Sequence, residues 1–347
     1  MFHTLLIGLG RSGRELHLPV LRRLRAARGT TGAGDASVFA PDDPLGYDIR
    51  PAARRAEPGL RTVGSLAGAR DRLDPATTVV HLCSPPTERT ELLRDLAGLG
   101  FRRFLVEKPI GVDTVVVEEL RTLRDSYGLQ LAVVAPWLHS TLTERLDGLI
   151  RSGSLGHLRR IEVRQHKPRL HRSLHTPSHP TAFDVELPHS VGVALRLAGA
   201  ARVTGATCTD ARVGDTVVPR MGSAAVTLDH DSGVTSRIAT DLASPLRERR
   251  IDLVFDAGTA VGHYPVGSDD LYAHLRVTPI GLPEQYEIFP DAALDACVLH
   301  AYRAFRQGAD LHPEFALQAQ VVEALEQAKR HAAGRTAERS SAHVLGR

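Results

Sequence analysis

The chain has 347 residues, of which 42% are hydrophobic and 24% charged, values that lie near the globular average and exclude a disordered chain. Its length exceeds the roughly 100 to 200 residues of one domain, so we expect two domains. The 43 basic and 40 acidic residues give a net charge of only +3, which provides no overall field for binding nucleic acid or a membrane surface.

Residues 1–137 alternate short apolar runs with helical patterns, an arrangement typical of a parallel sheet covered by helices on both faces. The predicted strands are Thr4–Gly8, Ser37–Ala40, Thr78–Leu82, Phe104–Val106 and Gln130–Val134. Helices are predicted after the first and third of these strands and between the last two. The pattern predicts a doubly wound Rossmann domain over residues 1–137.

A glycine-rich segment, Gly8-Leu9-Gly10-Arg11-Ser12-Gly13, joins the first predicted strand to the first predicted helix. In a GxGxxG turn the first glycine permits the tight bend, the second lets a pyrophosphate approach the backbone, and the third lets helix and strand pack closely. The N-terminus of the helix offers unpaired N–H groups to the phosphates. We therefore expect Gly8, Gly10, Arg11, Ser12 and Gly13 to bind a dinucleotide. The alternative is a glycine-rich turn that matches by chance.

The choice between NAD and NADP depends on the end of the second strand, where an acidic residue would bind the adenosine ribose of NAD. Asp42 is the candidate, although 42 − 13 = 29 residues separate it from Gly13. The insert Gly29–Gly34 accounts for the extra length. Nearby arginines could instead serve the 2′-phosphate of NADP, so the choice stays open; they are Arg50, Arg54 and Arg55.

Lysine is rare in this chain. It occurs only at Lys108, Lys167 and Lys329, and the other 43 − 3 = 40 basic residues are arginine. Lys108 lies in Glu107-Lys108-Pro109, directly after a predicted strand and at the sheet edge where doubly wound folds bind ligands. An ammonium can donate a proton and lose it when desolvated, whereas an arginine stays charged. We therefore expect Lys108 to be catalytic, and its rarity disfavours the alternative of an ordinary surface charge.

The pattern of apolar residues changes after residue 137. A helix, Thr141–Ile150, is followed by the strand-like run Leu158–Gln165 and by several short strand-like segments separated by turns, which predicts an antiparallel sheet. Helices are also expected over Phe183–Ala198, Asp291–Arg306 and Pro313–Ala332. We predict an α+β domain with an open, mainly antiparallel sheet over residues 138–333, then a flexible tail over residues 334–347.

The sequence resembles the Gfo/Idh/MocA oxidoreductases, the glucose-fructose oxidoreductase and inositol dehydrogenase group. The resemblance rests on Gly8–Gly13, Cys83–Thr87, Glu107-Lys108-Pro109 and Ile150–Gly156, and covers roughly the first 200 residues. It implies a Rossmann domain, a second domain whose sheet usually makes the oligomer interface, and hydride exchange between NAD or NADP and a sugar or cyclitol carbon. It also implies that cofactor contacts come from Ser84, Pro85, Glu107 and Lys108, and that Lys108 orients the reacting oxygen.

The same family usually places an aspartate and a histidine one helical turn apart in the second domain. His189 matches the histidine, and an imidazole can accept or deliver a proton near neutral pH. Val185 stands where the aspartate is expected; Glu186 can share a helix face with His189, whereas Asp184 lies off that face. The resemblance thus implies that His189 is catalytic, with Glu186 as its candidate partner. The alternative is a histidine at a helix start that bonds to the backbone.

Residues 164–180 carry three arginines, one lysine and four histidines without an acid. Such a segment could bind a phosphate, a nucleotide diphosphate or a carboxylate, or it could be a solvated loop. Prolines at positions 177 and 180 argue against a continuous helix, and therefore against a metal site built from the histidines. Trp137, near the predicted junction of the two domains, could line the substrate pocket or pack at the hinge between the domains. The candidate substrate-binding residues are Lys108, Trp137, Lys167, Arg169 and His189.

Together these patterns predict an oxidoreductase that uses NAD or NADP and acts on a carbinol, keto or imine carbon of a sugar, nucleotide sugar or cyclitol. The alternatives are a cyclic, thiazolinyl-type imine reductase of the same family and a non-catalytic dinucleotide-binding regulator or scaffold. We expect no metal, no nucleic acid and no membrane partner, and a homodimer or homotetramer formed through the C-terminal sheet. Three isolated cysteines and an N-terminus without a signal-peptide pattern predict a cytoplasmic location.

Overall fold

The computed structural model describes residues 1–27, 36–55, 57–175, 179–267 and 269–345. The chain forms two compact units, Met1–Pro136 with Leu294–Ala319, and Trp137–Ala293 with Gln320–Arg347. The predicted insert Gly29–Gly34 lies outside the described residues. Within the described part of the chain, no helix combines the length and apolar character that a membrane crossing requires.

The first unit is built on a six-stranded sheet in which every neighbouring pair is parallel. Its strands are β1 (His3–Ile7), β2 (Leu45–Tyr47), β3 (Arg61–Thr62), β4 (Thr78–Leu82), β5 (Arg103–Glu107) and β6 (Gln130–Val134), in the order β3-β2-β1-β4-β5-β6. The central strands are buried along nearly their whole length, because helices cover both faces of a parallel sheet. The predicted doubly wound fold is confirmed.

Helices follow the first, third, fourth and fifth strands of this unit, and the sequence pattern predicts all of them except the one after the third strand. They are α1 (Leu18–Ala26), preceded by a wider π-helical turn over Ser12–His17, and α2 (Leu66–Arg70), α3 (Arg89–Gly98) and α4 (Thr114–Tyr127). Helix α4 begins where the Asp113 side chain accepts the N–H of Val116 and ends at Gly128, whose φ of 61° is left-handed.

The second strand is Leu45–Tyr47, and the prediction of a strand over Ser37–Ala40 is wrong. Ala36–Val38 form a 3₁₀ turn, and Phe39 makes a single bridge to Phe2. Val38 and Phe39 are nevertheless fully buried in the core of the unit. The apolar run therefore signals burial rather than strand structure.

Between Trp137 and Ala293 the described residues of the second unit form an eight-stranded sheet, a separate hairpin and several helices. The helices are α5 (Thr141–Ser152), α6 (Leu170–His175), α7 (Ala182–Val185) and α8 (Leu187–Ala198). The strands are β7 (Leu158–His166), β8 (Ala201–Cys208), the hairpin β9 (Ala211–Val213) and β10 (Thr216–Val218), β11 (Ser223–His230), β12 (Thr235–Asp241), β13 (Glu248–Phe255), β14 (Gly258–His263), β15 (Tyr272–Pro279) and β16 (Gln285–Pro290).

The order of the large sheet is β16-β15-β14-β13-β7-β12-β11-β8. The β7–β12 pair is parallel and the other pairs are antiparallel, which confirms the predicted open, mainly antiparallel sheet. Burial alternates along strands such as β11, as in a sheet with one face against a core and one face free. The helix predicted over Phe183–Ala198 is interrupted at Glu186, because Pro188 starts a new helix.

Two helices close the chain, α9 (Ala293–Gln307) and α10 (His312–Leu345). Helix α9 buries Val298, Ala301, Tyr302 and Phe305 in the core of the first unit. The sequence assigned residues 138–333 to one domain, whereas the structure counts Leu294–Ala319 with the first unit. Helix α10 runs on into the stretch expected as a tail, since a low apolar content does not by itself prevent helix formation.

Candidate functional site

The glycine turn between β1 and the first helix has the steric properties of a phosphate-binding turn. Gly8 has a φ of 90°, which favours glycine. A Cβ added at Gly13 would lie 2.2 Å from the carbonyl oxygen of Gly8, so only glycine fits there. At Gly10, by contrast, an added Cβ would meet only the Arg50 guanidinium, at 3.7 Å. The backbone at Gly10 is therefore open to an approaching group, as the second glycine of the motif requires.

Ser12, inside the turn, connects it to the end of β5. Its hydroxyl donates to Glu107 Oε1 at 2.5 Å. Glu107 is the last residue of β5 and Lys108 follows it, half-buried and joined to Pro109 by a cis peptide bond. Arg11 is exposed and pairs with Glu15, 2.9 Å away. The turn and the lysine segment thus meet at the carboxyl edge of the parallel sheet.

The loop after β4 contributes Ser84 and Pro85 to the same edge. The Ser84 hydroxyl is buried and has no hydrogen-bond partner among the described residues. The guanidinium of Arg89, which is buried, donates to the carbonyl oxygens of Ser84 and Pro109 and so connects the loops after β4 and β5. Burial lowers the pKa of Arg89 to about 10, against the opposing effects of Glu107 and Cys83.

Asp48, not Asp42, lies at the end of the second strand. Its carboxylate, 5% exposed, accepts the N–H of Leu9 in the glycine turn at 2.9 Å and three N–H groups of Arg50 at 2.9 to 3.1 Å. Burial would raise the pKa of Asp48, but these bonds and the Arg50 charge lower it overall. Asp42 lies before β2 and approaches His3, 3.3 Å away.

Sequence reasoning missed Asp48 because it placed the second strand too early. The signal available was the short run Leu45–Tyr47 followed at once by an acid. Of the arginines considered for a 2′-phosphate, Arg54 donates to the carbonyl oxygens of Asp48 and Ile49 and lies 5.1 Å from the Tyr47 ring centre. Arg50 is held by Asp48 next to Gly10 and remains 67% exposed.

A chain of buried hydrogen bonds runs from Glu107 into the core of the first unit. His17 Nε2 lies 2.9 Å from Glu107 Oε1, and His17 Nδ1 lies 2.7 Å from His81 Nδ1. His81 Nε2 lies 3.0 Å from the Tyr302 hydroxyl, which is 2.6 Å from Thr4 Oγ1. Sequence reasoning missed this chain, because its five members come from five elements spread along the sequence.

The pKa values of the titratable groups in this chain of hydrogen bonds are strongly shifted. Burial alone would lower the pKa of His17, but Cys83 and Glu107 outweigh it and raise the pKa to about 10. Burial would raise the pKa of Glu107, but His17, Ser12 and Lys108 lower it to about 2. Burial and the His17 charge lower the pKa of His81. These pKa shifts correspond to an ion pair of protonated His17 with ionised Glu107, beside a neutral His81.

This ion pair predicts how stability depends on pH. The folded-state pKa of His17, about 10, exceeds its ordinary value of 6.5, so its contribution is complete below pH 6.5 and is lost between pH 6.5 and about 10. Glu107, with its pKa lowered from 4.5 to about 2, contributes above pH 4.5 and loses that contribution as pH falls through about 2. Urea unfolding at pH 6.5 to 10 should show wild type losing stability relative to His17→Gln. A constant difference would contradict the ion pair.

In the second unit, His189 lies in the first turn of α8, half-buried against Trp137. The two rings are stacked with centres 5.9 Å apart. Trp137 also stacks with Tyr264, with ring centres 4.0 Å apart and planes 13° from parallel. Thr143 fixes this stack, since its hydroxyl donates to the Trp137 carbonyl oxygen and is bonded to the Tyr264 hydroxyl. Trp137 therefore supports the predicted catalytic histidine within this unit.

Glu186, the predicted partner of His189, is bound to the end of β7. Its carboxylate forms an ion pair with Lys167, and its second oxygen accepts the Gln165 amide at 2.7 Å. Its carbonyl oxygen accepts the backbone N–H of His189 at 3.2 Å. The structure thus joins Glu186 to Lys167, a pairing that the helical spacing did not predict.

Asp184 and Arg169 complete the region. Asp184 caps α7 by accepting the N–H and hydroxyl of Thr181, and it pairs with Lys329 at 2.5 Å. Arg169, buried to 4% exposure, is anchored through its backbone N–H to the carbonyl oxygen of Leu242. Asp184 and Glu186 therefore each form an ion pair with a lysine.

No protein-family model matches the chain, and a search of curated proteins finds no match. Solved structures match over nearly its whole length. KijD10, a 3-ketoreductase from Actinomadura kijaniata in complex with TDP-benzene and NADP, is 15% identical, with 95% of this chain and 97% of that chain covered and a TM-score of 0.75. An NAD binding oxidoreductase from Klebsiella pneumoniae is 16% identical, with 96% and 97% covered and a TM-score of 0.77. Such similarity establishes the two-domain α/β fold.

Proposed function

We propose that the protein is an NADP-dependent oxidoreductase of the Gfo/Idh/MocA type, with Lys108 as its acid–base group. One observation carries the proposal: the Ser12 hydroxyl of the glycine turn bonds to Glu107, the neighbour of Lys108. A phosphate-binding turn and a half-buried primary amine thereby share the carboxyl edge of one parallel sheet, where doubly wound folds bind their ligands.

The residues at this edge fit a dinucleotide. The backbone at Gly10 is open, and the Ser84 hydroxyl is buried without a partner among the described residues, so it has hydrogen-bonding capacity for a bound group. Gly8, Gly10, Arg11, Ser12 and Gly13 would hold the phosphates, with Ser84, Pro85 and Glu107 nearby. The chemistry that a bound nicotinamide dinucleotide supplies is hydride transfer.

The protein's own side chains carry out the proton transfers. In the reducing direction the Lys108 ammonium donates a proton to the substrate oxygen, and in the oxidising direction the amine takes that proton back. His189, held against Trp137, supplies a second proton-transfer group in the second unit. Glu186 also holds Lys167 through their ion pair.

We further propose that the substrate is a sugar bearing an anionic group, with nucleotide-linked keto sugars as the first class to test. Lys167 and Arg169 follow β7 in a segment without acids, and KijD10, similar in fold, is described with TDP-benzene. The assay follows NADPH oxidation with nucleotide-linked keto sugars, matched neutral keto sugars, cyclitol ketones and cyclic imines. Turnover highest with the nucleotide-linked sugars supports the proposal. Tight NADPH binding without turnover of any of these would indicate a regulator instead.

The arrangement at β2 favours NADP over NAD. The four bonds to Asp48 leave its carboxylate engaged and hold the exposed Arg50 guanidinium next to Gly10, in a position to receive a 2′-phosphate. Arg50→Gln should weaken NADPH binding about tenfold to a hundredfold, the effect of one charge-assisted hydrogen bond, and leave NADH binding nearly unchanged. Calorimetric titration with both dinucleotides measures this. Tighter binding of NADH than NADPH by wild type would overturn the preference.

We also propose that two or more copies of the chain associate through the open face of the large sheet, and that the protein acts in the cytoplasm. Tyr272, Tyr286 and Ile288 project from β15 and β16 and are each more than half exposed. Exposed apolar groups concentrated on one sheet face are typical of an interaction surface. Light scattering on wild type and on Ile288→Arg tests the association.

A further inference from the structure

Glu107 has two cationic neighbours of different kinds. One is His17, which is fully buried and bonded to the carboxylate through Nε2 at 2.9 Å. The other is Lys108, the next residue along the chain, whose charge also acts on the carboxylate. The side chain of Glu107 is 13% exposed, so its charge is largely shielded from water. Which neighbour neutralises Glu107 therefore matters for the proton on Lys108.

The hydrogen bonds of the buried chain permit two arrangements of protons. In the first, His17 carries both protons and donates to Glu107 and to His81, His81 donates to Tyr302, and Tyr302 donates to Thr4. In the second, every bond beyond His17 is reversed, and both histidines are neutral. The two arrangements differ by one proton on His17 and keep the same four hydrogen bonds.

Electrostatics favours the first arrangement. The buried carboxylate of Glu107 stabilises a cation at His17, and the depressed pKa of His81 makes it the acceptor. Other titratable groups also face the pair: Cys83 after β4, Arg89 on α3 and Cys297 on α9. Cys83 raises the pKa of His17, and Arg89 is bound to the carbonyl oxygens of Ser84 and Pro109 rather than to Glu107. His17 is thus a cation bonded directly to this carboxylate.

We infer that His17 is a positioning residue that neutralises Glu107, so that this carboxylate holds Ser12 in the glycine turn without holding the proton on Lys108. An unopposed carboxylate next to an ammonium would favour the charged amine. With His17 as the counter-ion, the proton on Lys108 is freer to move to a substrate oxygen, which gains it as the amine takes up the electron pair of the N–H bond. This consequence rests on the proposed role of Lys108.

The rarity of lysine makes a direct test possible. Only Lys108, Lys167 and Lys329 carry a side-chain amine, so ¹³C-labelled lysine gives three resonances, which Lys167→Arg and Lys329→Arg assign. His17→Gln keeps a neutral donor towards Glu107 and removes the charge. We expect the Lys108 pKa to rise by about one unit in His17→Gln, the effect of an uncompensated carboxylate nearby. Lys329, on α10, serves as the internal control and should not shift.

A Lys108 pKa that is unchanged or lower in His17→Gln overturns the inference. Tyr302→Phe, which removes the hydroxyl beyond His81, should shift Lys108 in the same direction by less. If His17→Gln does not fold, ¹⁵N-histidine spectra of wild type at pH 8 decide the matter: His17 must be doubly protonated and His81 neutral, and a neutral His17 overturns the inference. None of these measurements uses a dinucleotide or substrate, so they stand even if the proposed function fails.

Discussion

Replacing Lys108 with alanine is expected to lower kcat/KM by about a hundredfold to ten-thousandfold, the usual contribution of a general acid–base group. NADPH affinity should stay within about twofold of wild type, because the glycine turn is bonded to Glu107, which the substitution leaves in place. Steady-state kinetics and calorimetric titration of the same preparation measure the two effects. Loss of turnover with retained binding would locate Lys108 at the chemical step.

Two matched variants sharpen this result. Lys108→Arg keeps the positive charge but cannot release a proton, so it should be nearly as inactive as Lys108→Ala. Lys329→Arg makes the same exchange at a lysine that pairs with Asp184, and it should keep most of the activity. An active Lys108→Arg enzyme would show that the charge alone is needed and would contradict the proton-transfer role.

The second large effect is expected from alanine substitutions in the glycine turn. Two of its glycines should respond differently, one by losing stability and the other by losing NADPH affinity. Gly13→Ala places a Cβ 2.2 Å from the Gly8 carbonyl oxygen, so the first helix must move away from β1. This displacement should lower the free energy of unfolding by about 3 kcal/mol. Gly10→Ala meets only the Arg50 guanidinium at 3.7 Å, so the protein should stay stable. It should nevertheless lose at least about a hundredfold in NADPH affinity, since the methyl group occupies the approach to the backbone.

Urea unfolding and dinucleotide titration of both variants separate the two outcomes. Gly148→Ala is the control: its added Cβ meets no atom within 4 Å on helix α5, so stability and binding should both persist. If Gly10→Ala binds NADPH as wild type does, the phosphates do not lie against this turn.

The parts of the site that sequence reasoning located are those encoded locally. The glycine turn and Glu107-Lys108-Pro109 each occupy a few consecutive residues after an apolar strand, and the structure links them through Ser12 and Glu107. Hydrophobic periodicity also sufficed for the alternation of strands and helices in the first unit. The failure at Ser37–Ala40 has a physical cause, since burial of Val38 and Phe39 produces an apolar run without strand pairing.

The remaining parts depend on contacts between distant segments. His81 and Tyr302 lie 221 residues apart, and no local pattern indicates that α9 packs on the first unit. The ion pair of Glu186 with Lys167 likewise joins a helix junction to the end of a strand. Helical spacing compares residues within one element only, so it could not indicate Lys167 as a partner of Glu186.

Calorimetric titration of the protein with NADPH tests the central claim most directly. The account predicts one binding site per chain, with an affinity that Lys108→Ala leaves nearly unchanged and that Gly10→Ala lowers at least about a hundredfold. Absence of NADPH and NADH binding by folded wild-type protein at millimolar concentrations would contradict it, as would binding that Gly10→Ala does not affect.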